Sequence, residues 1–237
     1  MSEVRGLRLA PGAALKEKRL AALLRGRSPD EAALAEAVRD AQLLGSLELA
    51  GVRVTWEEVV ASRRGPAPEP VLALRRARAA VDPEAPLTLE ALRAWQAALF
   101  GPEAGWRSGT RGREAVPPAP PEAIPDRLAI LDQWINSESG RALKPPPQAA
   151  LALARVIEIL PFEDGNGRIS RLAASHLMVR GGMRPPILAR ADGPRLVACL
   201  QAAFRLDTEP LCSLLVEASE RSLDVMIQTL EREEAAP

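Results

Sequence analysis

The run Leu160-Pro161-Phe162-Glu163-Asp164-Gly165-Asn166-Gly167-Arg168-Ile169-Ser170-Arg171 constrains the chain more than any other stretch. Two glycines bracketing an asparagine let the backbone take φ > 0, so successive N–H groups can converge on one anion as a nest. Ile169, Leu172, Leu177 and Met178 then follow a helical period that stops at Gly181-Gly182. The loop is therefore expected at a helix N-terminus, where unpaired N–H groups and the dipole add to the attraction for a phosphate. Arg168 and Arg171 lie three apart on one helix face and place two guanidinium forks over the same anion. Asp164, just before the nest, is the expected Mg²⁺ ligand in the usual mode of one carboxylate plus phosphate oxygens.

Composition fits helices broken by sharp stops. The chain is rich in alanine, leucine and arginine, carries 22 prolines and has no tyrosine, which favours helix over sheet. An all-α fold is expected. At 237 residues the chain can bury one good core. Basic and acidic residues balance at 31 each, with no basic run that argues for nucleic acid. The most apolar segment, residues 150–160, is short and interrupted by Arg155 and Glu158, so neither a membrane span nor a secretory leader is expected and the location reads as cytoplasmic. Cys199 and Cys212 are isolated, spaced neither as a zinc site nor as a redox pair, and read as small buried hydrophobes.

Along the chain, Ser28-Pro29-Asp30-Glu31 reads as a capping box opening a helix through Leu34, Val38, Leu43 and Leu44, which Gly51 ends. A brief helix is expected over 57–62, and the Pro-rich run 65–70 suggests a boundary between an N-terminal helical region, 1–65, and a core with C-terminal helices, 66–237. Further helices are expected over 71–80, 88–100, 125–136, 147–159, 168–180, 194–204 and 209 to about 231. Trp95 and Trp134 read as core aromatics. Asp132 and Glu158 read as solvated helix faces, and Glu163 as exposed.

The motif resembles that of the Fic family, His-x-Phe-x-(Asp/Glu)-Gly-Asn-Gly-Arg-x-x-Arg. Phe162, Asp164, Gly165, Asn166, Gly167, Arg168 and Arg171 all match; at average residue usage, seven fixed positions recur by chance roughly once in 10⁹ windows. The resemblance, which extends from about Val71 to Ser222, implies a helical bundle with a short β-hairpin flap, ATP or another nucleotide with Mg²⁺ in the site, and transfer of AMP to a hydroxyl of a protein target. Phe162 is then a packing residue of the motif. The family's histidine, its general base, is replaced by Leu160. The chain's single histidine, His176, lies two turns or more into the next helix and reads as a packed helix residue.

The resemblance implies two further elements. Relatives with an N-terminal inhibitory helix use (Ser/Thr)-x-x-x-Glu-(Gly/Asn), and Ser46 to Gly51 keeps the serine, the spacing and the glycine with Ala50 in place of the glutamate. In such relatives that carboxylate pairs with the second motif arginine, here Arg171. The flap falls at Gly105 to Val116, with Trp106 and Arg107 at its start, and Arg107, Arg111 and Arg113 would line the site as a positive rim.

A positioned base contributes about 10²–10⁴-fold, whereas positioning and electrostatics carry most of phosphoryl-type transfer. Three readings follow: a nucleotide- or phosphate-binding protein that is inactive or very slow in AMP transfer, a histidine-independent transferase of a nucleotide-linked group, or a non-catalytic helical interaction module. The intact Asp164, Arg168 and Arg171 weigh against the last, since a structural turn has no need of them.

Overall fold

Proline sets several helix starts in the computed structural model, because its fixed φ and missing N–H suit the first turn. The structure describes residues 11–25, 31–109 and 118–235. Among them the chain forms α1 (Pro11–Leu24), α2 (Glu31–Leu49), α3 (Trp56–Ala61), α4 (Glu69–Ala79), α5 (Leu89–Phe100), α6 (Ile124–Asn136), α7 (Glu138–Ala142), α8 (Pro145–Ile159), α9 (Asn166–Arg180), α10 (Gly193–Ala203) and α11 (Glu209–Ala235). Proline sits in the first turn of α4, α6, α8 and α10. The fold is all-α, as expected. Two helices, α1 and α7, have no counterpart in the sequence reading. The residues 28–30 of the expected capping box lie outside the described residues.

No strand occurs among the described residues, and the flap contributes one isolated antiparallel bridge, Trp106 to Phe162. That bridge pairs the flap's start with the motif loop and not with a second flap strand. Residues 110–116 of the expected hairpin lie outside the described residues.

The core is centred on α8 and α9. Ala149, Ala150, Ala152, Ala154, Ala173 and Ala174 are buried, and such small side chains let helix backbones approach closely. The six-residue link between the two helices makes them antiparallel neighbours. Trp95 on α5 is 2% exposed and meets His176 edge-on at 5.8 Å, so both are packing residues. Burial pushes the His176 imidazole below its ordinary pKa. Trp134 is half-buried against the core. A smaller cluster joins Ala13 and Leu20 of α1, Leu34 of α2, and Leu223, Ile227 and Leu230 of α11.

The segments on either side of residue 65 share polar as well as apolar contacts. Asp40 of α2 is fully buried and accepts from Arg63 Nε and Arg75 Nη2 at 2.6 Å each, joining α2 to α4. Leu43, Leu47 and Val59 belong to the main core. At Gly45, an added Cβ would stand 2.0 Å from the Leu188 carbonyl oxygen, so a glycine is what allows α2 to seat on the 186–189 segment. Gly45→Ala is expected to lower stability by about 1–3 kcal/mol, the usual cost of overpacking, read as a fall in the urea midpoint without loss of helix content in the remaining folded state.

Candidate functional site

The motif loop is closed by its own asparagine. Asn166 Oδ1 accepts from the Phe162 N–H at 2.9 Å and its Nδ2 donates to the Phe162 carbonyl at 2.7 Å. Only a carboxamide of this length offers donor and acceptor together. Its side chain is thereby spent on the loop, and what Asn166 brings to an anion is its backbone N–H. Gly165 takes φ +83° as the N-cap of α9, with the Phe100 ring and the Gln96 amide where a side chain would sit. The first N–H groups of α9, which have no intrahelical acceptor, follow at once.

Phe162 is 1% exposed and stacks on Trp106 at 5.2 Å. The Arg107 N–H donates to the Pro161 carbonyl at 2.7 Å. The Arg107 side chain corrects the expectation of a positive rim: it is 2% exposed and turns inward. It donates to the carbonyls of Leu160 at 2.9 Å, Gly109 at 2.6 Å and Ala119 at 2.6 Å, with a longer contact to Ile159 at 3.4 Å. A cation on the last carbonyls of α8 answers the helix dipole. Arg111 and Arg113 lie outside the described residues.

Asp164 is exposed and half spoken for. Its Oδ1 accepts from the Gly165 N–H at 2.5 Å and its Oδ2 from Arg168 Nη2 at 3.0 Å. The Arg168 guanidinium lies over the Phe100 ring at 4.9 Å. No group of three or more metal-ligating side chains occurs among the described residues, so a cation here would rest on Asp164 plus ligand and water oxygens, the ordinary Mg²⁺ mode. Glu163 accepts from the N–H and hydroxyl of Ser108, tying the loop again to the flap's first residues. Asp132, expected on a solvated face, accepts from the Leu89 N–H at 3.0 Å and from Asn136 Nδ2 at 2.9 Å, at the N-terminus of α5. Glu158 pairs with Arg155.

Arg171 reaches across to α2. Its Nε donates to Ser46 Oγ at 3.0 Å and its Nη2 to the Ser46 carbonyl at 2.7 Å, while Nη1 lies against Gly167, 3.0 Å from where a Cβ would be. Burial, with Arg168 beside it, draws its pKa down to about 10. One turn back on α2, Gln42 Nε2 donates to Ser175 Oγ. Each step of four forward on α2 is four back on α9, so the helices run antiparallel and the next step leads from Ser46 to Ala50 and from Arg171 to Gly167. The segment from Ser46 to Gly51 thus lies beside the motif. α2 itself stops at Leu49, and Gly51 takes φ +78°, the left-handed C-terminal turn expected of a glycine.

Leu160 caps α8 at φ 47°, ψ 61°. Bulky residues take this left-handed region only at a cost of about 1–2 kcal/mol, and asparagine, aspartate and histidine take it more readily.

Comparison with known proteins agrees with this geometry. Residues 86–178 match the Fic/DOC family. The Drosophila virilis protein adenylyltransferase Fic is 36% identical over 116 residues, 47% of this chain and 23% of that protein; the Drosophila mojavensis protein of the same name is 35% identical over the same length. The chain thus spans less than a quarter of the length of the curated relatives it matches. In fold it is similar to a Fic domain-containing signaling protein from Bacteroides thetaiotaomicron, with a TM-score of 0.75 at 22% identity over 93% of this chain and 97% of that one. It is also similar to Fic-1 from C. elegans, with a TM-score of 0.73 at 20% identity over 93% and 74%. Residues 86–178 of the chain are thus similar to the Fic/DOC family, and its fold is similar to that of solved Fic structures.

Sequence reasoning missed Phe100 and Gln96 as parts of this site, and placed Arg107 there as a rim charge instead of a cap on the α8 carbonyls. No local pattern marks them, because each acts through a backbone far away in sequence. Replacing Arg107 by methionine, which keeps the stem and removes the fork, is expected to cost about 3 kcal/mol or more, since buried carbonyls lose a charged donor. Chemical denaturation reads this directly; an unchanged midpoint overturns the capping role.

Proposed function

We propose that this protein binds a nucleoside triphosphate, ATP or another, through the nest at the start of α9, and that AMP transfer to a protein hydroxyl is slow or absent. The observation that carries the reading is an intact Asp164-Gly-Asn-Gly-Arg loop directly preceded by Leu160 in a left-handed turn. The N–H groups of the α9 first turn and the Arg168 and Arg171 guanidiniums hold phosphate oxygens. Mg²⁺, held by Asp164, neutralises phosphate charge when bound. Leucine takes no proton, and a missing base costs about 10²–10⁴-fold.

The names of the relatives support the transfer chemistry as the reaction class to test: the Drosophila proteins are called protein adenylyltransferases, and the fold neighbour IbpAFic2 has a structure in complex with adenylylated Cdc42. A protein hydroxyl is accordingly the acceptor class we assign. Ser46 adds a restraint of its own. Arg171 leaves two hydrogen bonds to Ser46 when its fork turns to a terminal phosphate, so nucleotide binding is expected to be modest.

Calorimetric titration with ATP and Mg²⁺ tests the binding half. Arg171→Ala is expected to weaken binding by about 1.5–3 kcal/mol, the range for a hydrogen bond to a charged group. Undetectable binding of any nucleotide or phosphate at millimolar concentration overturns the reading.

Leu160→His tests the chemical half. Histidine suits the backbone of position 160 better than leucine, so the variant is expected to fold and to create or greatly raise AMP transfer, measured by mass spectrometry of self-modification on serine or threonine. Adding Ala50→Glu, which puts a carboxylate one turn beyond Ser46 toward the nest, is expected to suppress it. Rapid transfer by the unaltered chain sinks the missing-base argument. A Leu160→His variant that binds nucleotide and stays inert favours a transferase that works without a histidine.

A further inference from the structure

On the flank of α9 that faces α2 and α4, behind the nest and sharing Arg168 and Arg171 with it, lies a second concentration of positive charge. A cavity of about 40 Å³ is bounded by Gln42, Ser46, Arg78, Arg168, Arg171 and Ser175 with an apolar floor of leucines. Its lining holds three arginines and no carboxylate, and none of the loop residues 162–167. Since about 10–15 Å³ is the least space that holds one water, the cavity has room for a small polar occupant. It adjoins an open cleft of about 450 Å³ between α2, α4 and α9, and the two share Leu43, Arg78, Leu172 and Ser175. Arg78 stands at the shared wall.

The neighbouring arginines are engaged. Arg75 binds Glu36, Asp40, Ser62 and the Val59 carbonyl, and Arg39 binds Glu36. The Arg78 side chain makes no hydrogen bond or ion pair among the described residues, and its pKa is drawn down to about 10 by burial, with Arg39 and Arg75 adding to the effect and Glu36 opposing it. Two further side chains of the cavity are nine-tenths buried with an unmet polar atom: Arg168 through Nε and Gln42 through Oε1. A buried polar atom without a partner costs about 1–3 kcal/mol, and native structures seldom leave one so.

We infer that this cavity is a second anion site, distinct from the nest, in which Arg78 and Arg168 bind free inorganic phosphate. The donors are the Arg78 fork, Arg168 Nε–H and the Ser46 and Ser175 hydroxyls, whose oxygens already accept from Arg171 and Gln42 and whose protons are free to donate outward. The one acceptor among them is Gln42 Oε1. Hydrogen phosphate has a P–OH to give it at neutral pH, and sulfate does not. The site therefore selects phosphate over sulfate. An anion placed here also sets negative charge beside Arg171.

The test is titration calorimetry of the full chain with sodium phosphate and with sodium sulfate in chloride buffer, and thermal melts in the same salts. Wild type is expected to bind phosphate at one site, to bind it more tightly than sulfate, and to melt higher in its presence. Arg78→Gln is expected to weaken phosphate binding about tenfold or more while leaving Mg²⁺-ATP binding unaltered. This variant removes no protein hydrogen bond, so its melting point in phosphate-free buffer is expected to be at or above that of wild type. Arg78→Lys keeps the charge without the fork and is expected to fall between. No phosphate binding at tens of millimolar overturns the site. So does phosphate binding that Arg78→Gln leaves unchanged and that ATP abolishes, since the anion would then occupy the nest. Equal binding of sulfate overturns the part assigned to Gln42.

Discussion

The arrangement rests on the close antiparallel packing of α8 against α9. Alanines at the interface remove the bulk that would hold the axes apart, so the link between the helices must turn sharply within residues 160–165. A turn this short cannot satisfy its own backbone. Three side chains do so instead: Arg107 on the last carbonyls of α8, Asn166 on both polar groups of Phe162, and Gln96 on the Asp164 carbonyl. With these groups held, the first N–H groups of α9, which have no intrahelical acceptor, stand next to the turn.

Local chemistry was legible in the sequence, and long-range chemistry was not. The helix periods and the glycine at position 51 follow from residues within a turn of each other, and the resemblance that set position 50 against Arg171 is followed by a contact of Arg171 with Ser46, 125 residues apart in sequence. Arg107 reads as a rim charge in a glycine- and arginine-rich stretch, since no pattern says that Ile159, Leu160 and Ala119 will present carbonyls to it. Asp132 reads as solvated for the same reason: its partner is the first N–H of a helix 43 residues upstream. Helix α7 is a single short turn with too few residues to show a period. Asn166 was legible as essential but not in its role, because a nest ligand and a loop staple place the same demand on the residue type.

The antiparallel register of α2 on α9 fixes the position of the Ser46 to Gly51 segment without any contribution from the side chain at position 50. Gln42 with Ser175 and Ser46 with Arg171 are successive rungs of one ladder, and Gly45 between them permits the close seating of α2 on the segment after α9. None of these residues depends on what stands at position 50. α2 stays beside the motif loop, and the Ser46 hydroxyl and carbonyl hold Arg171.

The same reasoning applies to Leu160. The left-handed turn there is imposed by the end of α8 and fixed by Arg107 on its carbonyl, so the backbone does not rely on its side chain for its shape. A leucine in this conformation carries strain that a histidine or glycine relieves, and it gains no hydrogen bond in return. Strain at one residue persists only where its surroundings over-determine it. Here Phe162, Trp106, Asn166 and Arg107 do that, and the left-handed turn persists with a leucine in it.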